Sequence, residues 1–261
     1  ISNELIDAYP VHRFRVDHGT LTESYVHMNS EGGFVEIFDE PSTGLLLQRL
    51  QDLDIPLRDG LKGEINLYID DWARSVSSCL DSGAAITIDY GDLASSLYNR
   101  PNGTLQTYYQ QTDGGSPFNM PGQQDITANV DFSSVMRYGA RYRLKYEGLI
   151  DQGTFLRNLG WKQFFESVAG MNIGERELMS NQIGMRHLVE QGHLGGLQVL
   201  VQSKNLEIRG QLWGFEGGER SGDEGEETHV VAPIMNDRHV SYLGRGYPEG
   251  QDDDWSYQRF L

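Results

Sequence analysis

Cysteine is nearly missing from this chain: Cys79 stands alone among 261 residues. That excludes an intrachain disulfide framework and any metal cluster built on cysteine, and makes a reducing compartment the default expectation. Basic residues are scarce too, 21 Lys and Arg against 38 Asp and Glu, for a formal net charge of −17. Phosphate backbones are held by clustered Lys and Arg, so nucleic acid is not expected as a partner. No apolar run approaches the ~18 residues of a bilayer-crossing helix, and no basic-then-apolar leader opens the sequence, so no membrane insertion is expected.

Common catalytic signatures are lacking as well. There is no G-x-S-x-G, P-loop, H-E-x-x-H or C-x-x-C. His12 and His18, like His187 and His193, are spaced six apart and share no helix face, which argues against a metal site. A hydrolase using Asp89 with a histidine would need a nucleophile elbow that the sequence does not contain. Nor does a G-x-G-x-G loop, which would cradle a nucleotide-like cofactor, follow any strand-like segment.

What is present is a mixed α/β pattern. Alternation around FRV, SYVHM and FVEIF, with Asn29-Ser30-Glu31-Gly32-Gly33 between the last two, predicts antiparallel strands joined by a turn. A short helix is expected from Pro41-Ser42 through Leu46, Leu50 and Leu53, with Ser42 as its cap. The clearest helix spans 64–80, where Ile65, Ile69, Trp72, Ala73, Val76 and Leu80 share one face. AAITIDYG then reads as a buried strand delivering Asp89, Tyr90 and Gly91 at its C-terminal end, where open α/β sheets bind ligands. Residues 92–130 read as a long polar loop, a length uncommon unless the segment is functional or disordered. A helix capped by Asp131, a strand over 141–147, helices over 151–159, 161–169 and 175–191, and a last strand at 197–203 complete the pattern. Residues 207–261 are polar and acidic and are expected to pack little.

Four stretches in order, NELIDAYPVHRF, AITIDYG, RPNGTLQTYY and PGQQDITANVDFSSV, carry a resemblance, supported by LTESYV and DQGTFLRNLG. Together they resemble the MidA-like family of class I S-adenosylmethionine-dependent methyltransferases. Its mitochondrial members are complex I assembly factors that methylate an arginine. The resemblance covers residues 3–206 and maps onto the C-terminal half of the family's Rossmann-like sheet, with residues 11–60 as a hairpin and helix insertion on the substrate side. It implies S-adenosylmethionine as cofactor, an arginine-bearing protein as substrate, and a bacterial cytoplasmic or mitochondrial-matrix setting. The half carrying the glycine loop would lie upstream, so these residues alone are expected to bind the cofactor poorly and to be inactive. One departure is visible: Tyr109-Gln110-Gln111 stand where the family usually has a histidine.

The resemblance puts the loop after the fourth strand of the sheet opposite the methyl group. Asn3, Glu4 and Asp7 are therefore the candidate catalytic residues, Glu4 as a clamp on the acceptor guanidinium and Asn3 as a further candidate for the cofactor. Bidentate pairing with a carboxylate orients a guanidinium and is stronger than a neutral hydrogen bond. Asp89, Tyr90, Gly91 and Gln152 are the candidate substrate-binding residues. For Asp7 and Asp89 a purely capping role competes on the sequence alone. Asp125, Thr127 and Asp131 read as ordering and capping residues. A non-catalytic assembly factor that keeps the fold and grips a partner is the alternative reading.

Overall fold

The computed structural model describes residues 1–110 and 112–216. A stub, β1 (Ser2–Asn3), leads into an antiparallel insertion built from β2 (His12–Asp17), β3 (Thr20–Met28) and β4 (Phe34–Asp39). His18 and Gly19, at φ 49° and 73°, make the left-handed two-residue turn that joins β2 to β3. Asn29 organises the next turn, its Oδ1 accepting the N–H groups of Glu31 at 3.0 Å and Gly33 at 2.8 Å. After α1 (Leu45–Asp52), β5 (Lys62–Ile65) closes this sheet in the order β4-β3-β2-β5. Phe14, Val16, Leu21 and Ile65 on its inner face pack with Leu46 and Leu50 of α1, giving the insertion a hydrophobic core of its own.

Two sequence expectations change here. Helix α1 begins after Gly44 without a side-chain cap, and the Ser42 N–H instead donates to Glu23 Oε2 at 2.6 Å. The helix expected from residue 64 starts at Ile69, because residues 62–65 pair with β2 as a strand. Asn66 marks the switch, its Oδ1 accepting the Tyr68 N–H at 2.9 Å.

The second unit follows: α2 (Ile69–Cys79), β6 (Gly83–Asp89), β7 (Gly91–Asp92) and α3 (Ala94–Leu97). Residues 92–130 are not a plain loop. They carry α3, the end of β7, and β8 (Gln106–Tyr109), β9 (Thr112–Asp113) and β10 (Asp125–Thr127), a small antiparallel sheet in the order β10-β8-β9. Next come β11 (Val130–Asp131), paired in parallel with β7, and α4 (Phe132–Arg141). Asp131 caps α4 as expected, its Oδ1 accepting the Ser134 N–H at 3.2 Å.

The strand expected at 141–147 is displaced to β12 (Lys145–Asp151). Helix α4 runs on through Arg141, and Arg143, at φ 66°, turns the chain before the strand begins. Of the three basic residues Arg141, Arg143 and Lys145, only Lys145 therefore lies on the strand; Arg141 ends its helix 3.5 Å from Asp70. Then α5 (Gln152–Asn158), α6 (Trp161–Ala169) and α7 (Glu175–His187) lead to β13 (Gln198–Lys204). The main sheet has the order β1-β6-β13-β12, with β1 parallel to β6 and β13 antiparallel to both its neighbours. Ile69, Trp72 and Ala73 of α2 pack with Val135 of α4 and Leu200 of β13 on one face.

Arg49 joins the insertion to this unit. Almost fully buried, it donates to Asn66 O at 3.0 Å, Ser134 Oγ at 3.1 Å and the Tyr138 hydroxyl at 3.2 Å. Of the segment read as a weakly packed tail, 207–261, residues up to 216 are described: Phe215 packs edge-on against Phe155, 5.4 Å between centroids. The rest of that segment lies outside the described residues.

Candidate functional site

A cleft of about 850 Å³ opens where β1 and β6 end. It is lined by Glu4, Asp7 and Ala8 from the loop after β1, by Tyr90 from the end of β6, and by Gln106, Tyr108 and residues 124–127 from the β8 and β10 segments. The position follows from the sheet: β1 and β6 run parallel in register, Ser2 beside Thr87 and Asn3 beside Ile88, so both strands discharge their loops at the same edge.

Asp89 builds the near side. Fully buried, it accepts the N–H groups of Leu5, Ile6 and Asp7 on Oδ2 at 3.2, 3.0 and 3.4 Å, and that of Tyr90 on Oδ1 at 2.9 Å. One carboxylate thus closes the turn that presents Asp7. Burial, and then the nearby Asp7 charge, push Asp89 up to about 7, with the backbone N–H donors pulling the other way. Asp7 is also buried, and its pKa is raised by that burial and then by Glu4. Its carbonyl accepts the Ala128 N–H at 2.9 Å, which ties the two sides of the cleft together. Glu4 is exposed and held at φ 45°, a left-handed conformation rare outside glycine and asparagine. Its N–H donates to Ile88 O at 2.9 Å and its Oε1 accepts from Asn3 Nδ2 at 3.0 Å, so it projects from a fixed position.

Among the described residues the lining includes three carboxylates, Glu4, Asp7 and Asp125, and no Lys, Arg or His. Such a cleft favours a cation and opposes an anion. The residues present therefore fit the charged, methyl-bearing sulfonium of S-adenosylmethionine, and equally a guanidinium. Tyr90 lines the same space, and its hydroxyl is held protonated by burial and by Glu4.

Of the residues proposed from sequence, Glu4, Asp7 and Tyr90 line the cleft together. Asn3 stands one residue back, hydrogen-bonded to Glu4. Asp89 acts from behind, through backbone. Gly91 is packed rather than open: a Cβ there would collide with Val130 O and the Phe132 ring. Gln152 does not line the cleft; its amide donates to Leu188 O at 3.2 Å and Leu194 O at 3.1 Å, fastening the loop after α7. Asp125 and Thr127, read as ordering residues, are on the cleft with Tyr108, Gln124 and Asn129. Individually these polar side chains carry no signal, and only the length of the 92–130 segment pointed at them.

A second polar device supports the far side. Glu64, buried at the end of β5, accepts both the N–H and the hydroxyl of Thr104, at 2.8 and 3.0 Å. The Thr104 hydroxyl in turn accepts the Asn129 N–H at 3.0 Å. The RPNGTL segment therefore anchors the chain that follows β10.

Comparison with known proteins agrees with this geometry. Residues 1–150 match a family described as "Putative S-adenosyl-L-methionine-dependent methyltransferase". A mitochondrial protein named as a homologue of the arginine methyltransferase NDUFAF7, from Drosophila melanogaster, is 25% identical over 186 residues, 68% of this chain and 40% of its own length. The mitochondrial protein arginine methyltransferase NDUFAF7 of Bos taurus is 27% identical over 167 residues, 61% of this chain and 34% of its own. Two crystal structures of COG1565 superfamily proteins from Burkholderia thailandensis share the fold. One, bound to S-adenosyl-homocysteine, has a TM-score of 0.70 at 28% identity, covering 84% of this chain and 56% of that one. The other, in native form, has a TM-score of 0.72 at 29% identity over 84% and 58%. The chain thus spans well under two thirds of the length of each. Its sheet is an α/β methyltransferase sheet, and the chain belongs to the family of S-adenosyl-L-methionine-dependent methyltransferases.

Proposed function

We propose that the protein transfers a methyl group from S-adenosylmethionine to an arginine of a protein substrate. The observation that carries this is the lining of the cleft, which presents Glu4 and Asp7 together and, among the described residues, no basic side chain. The names of the two mitochondrial relatives add support for arginine as the acceptor.

Bound S-adenosylmethionine supplies an electrophilic methyl and leaves as the neutral thioether. The chain's residues act on the acceptor. Glu4, fixed by its own N–H and by Asn3, pairs with the guanidinium and aligns one nitrogen with the methyl. That nitrogen's electron pair forms the N–C bond as the C–S bond breaks, and the nitrogen sheds one proton. Asp7 is the proposed recipient. A carboxylate with a raised pKa is a better base than an ordinary one, and Asp7 lines the cleft beside Glu4. Tyr90 lines the cleft; Asp89 and Gly91 hold the loops; Gln152 acts at a distance, by fastening the α7 loop.

The test is transfer of isotopically labelled methyl from the cofactor into a protein extract, followed by hydrolysis and identification of the modified residue. The reading expects methylarginine. Label confined to carboxyl, hydroxyl or small-molecule acceptors would refute it.

A further inference from the structure

The β3–β4 hairpin is longer than the sheet that carries it. Strand β2 pairs with β3 from Phe14 beside Glu23 to Asp17 beside Thr20. Strand β3 continues to Met28, and beyond Glu23 its ladder is with β4 alone, from Ser24 beside Phe38 to Met28 beside Phe34. At about 3.4 Å per residue, that overhang is a two-stranded ribbon about 17 Å long. Its direction follows from the register. Strand β3 is antiparallel to β2, so it runs past the start of β2, the end at which the chain arrives from Glu4, Asp7 and Ala8 of the cleft. The same end of the sheet is tied to that loop. Strand β5 finishes with Ile65 beside His12, and the next residue, Asn66, donates from Nδ2 to Ile6 O at 3.3 Å.

One face of the ribbon is apolar. Val26 and Met28, two apart, share that face, and Phe34 stands directly opposite Met28. They are 63%, 59% and 42% exposed. The carboxylate on this face, Glu36 opposite Val26, is already taken: its Oε1 accepts from Arg13 Nη1 at 2.5 Å and from Ser24 Oγ at 2.6 Å. Further along, the Arg15 guanidinium lies over the Phe38 ring at 4.0 Å. Apolar side chains gathered on one face and rimmed by polar groups mark an interaction surface, whereas scattered single ones do not.

We infer that this ribbon docks the protein substrate, a folded protein that presents an apolar patch beside its arginine-bearing segment. This rests on the arginine reading above. Two observations choose that occupant. The cleft loop leads directly into the end of the sheet from which the ribbon projects, so one partner meets both. The cleft lining, three carboxylates and no basic side chain among the described residues, complements a basic partner and opposes a second copy of this acidic chain. The cleft supplies the chemistry, and the ribbon supplies a choice among arginines that a guanidinium alone does not give.

The experiment compares the full-length protein with its triple variant Val26→Thr, Met28→Thr and Phe34→Thr, which removes apolar surface and keeps a residue that strands accept. Transfer of labelled methyl to arginine is followed on two probes, a dilute native extract of the source organism and a capped arginine heptapeptide. In the extract the variant should form methylarginine about tenfold or more slowly, while peptide turnover and S-adenosylhomocysteine affinity stay within about twofold. Equal rates in the extract, or a parallel fall on both probes, overturns the docking ribbon and leaves the arginine reading standing. No methylarginine from wild type on either probe refutes the arginine reading, and the ribbon with it. Two further measurements report the other occupants. A dimer by light scattering that the variant loses assigns the ribbon to a second copy, and a melting temperature lowered by about 5 °C or more assigns it to the chain's own packing. Either result overturns substrate docking.

Discussion

Asp89 holds the turn that carries Asp7: its Oδ2 accepts the Asp7 N–H at 3.4 Å, together with those of Leu5 and Ile6. The arrangement places two carboxylates in one poorly solvated region, and burial with the Asp7 charge pushes Asp89 up to about 7. The protonated form is thus favoured by folding. Its contribution is full below the ordinary aspartate value of about 3.9 and is lost as pH rises through about 7. Asp89→Asn removes that dependence, at the cost of one acceptor for the Tyr90 N–H. The stability advantage of wild type over the variant should shrink by on the order of 2–4 kcal/mol between pH 4 and pH 8. Urea unfolding at stepped pH reads it, and an advantage that stays constant would contradict the linkage.

Glu23 behaves in the opposite sense. Burial alone would raise its pKa, but hydrogen bonds from His12, 2.6 Å away, and from Ser42 hold it down to about 2. Its contribution is present above the ordinary glutamate value of about 4.3 and is lost as pH falls through about 2. Glu23→Ala removes the acceptor of His12, the Ser42 N–H and the Tyr25 hydroxyl together and should cost about 2–3 kcal/mol at pH 7. The deficit should narrow at pH 3. A variant with wild-type unfolding at pH 7 would count against the assignment.

Arg49 fills three acceptors that a lysine cannot reach at once: Asn66 O, Ser134 Oγ and the Tyr138 hydroxyl. Arg49→Lys should cost about 1–2 kcal/mol and Arg49→Ala about 3 kcal/mol or more. Denaturant midpoints decide it, and equal stability of the lysine variant would show that the fork geometry is not used.

Gly91 tests close packing rather than chemistry. A methyl there meets the Val130 carbonyl, a backbone atom that cannot swing aside, and the Phe132 ring. Gly91→Ala should therefore lower stability by about 1–3 kcal/mol. An unchanged melting temperature would mean that β7 and β11 separate freely.

Much of this architecture is legible in the sequence where a buried face repeats. Ile69, Trp72, Ala73 and Val76 mark α2, and the β-branched run before Asp89 marks β6, because packing against a sheet demands those periods. The starts of elements are less legible. Glu64 and Ile65 fit the helical face of α2 yet belong to a strand, since pairing with β2 outweighs local pattern. Strands β8 and β10 lack apolar alternation: they border a polar cleft and bury little, so no hydrophobic signal exists. Arg49 was readable in principle, lying three residues after Leu46 on the same buried face, but a single arginine there looks like helix surface. In the site, the loop after β1 could be placed by resemblance, whereas the support of Asp7 by Asp89 is a contact across 82 residues that no local pattern encodes.

The central claim is that Glu4 orients a guanidinium for methyl transfer. Labelled-methyl transfer to an arginine peptide by the full-length protein, compared between wild type and Glu4→Gln, measures it most directly. The amide keeps the shape but loses the charge that pairs with the acceptor, so turnover should fall about 100-fold or more while S-adenosylhomocysteine affinity changes less than about threefold. Turnover within about threefold of wild type would contradict the account.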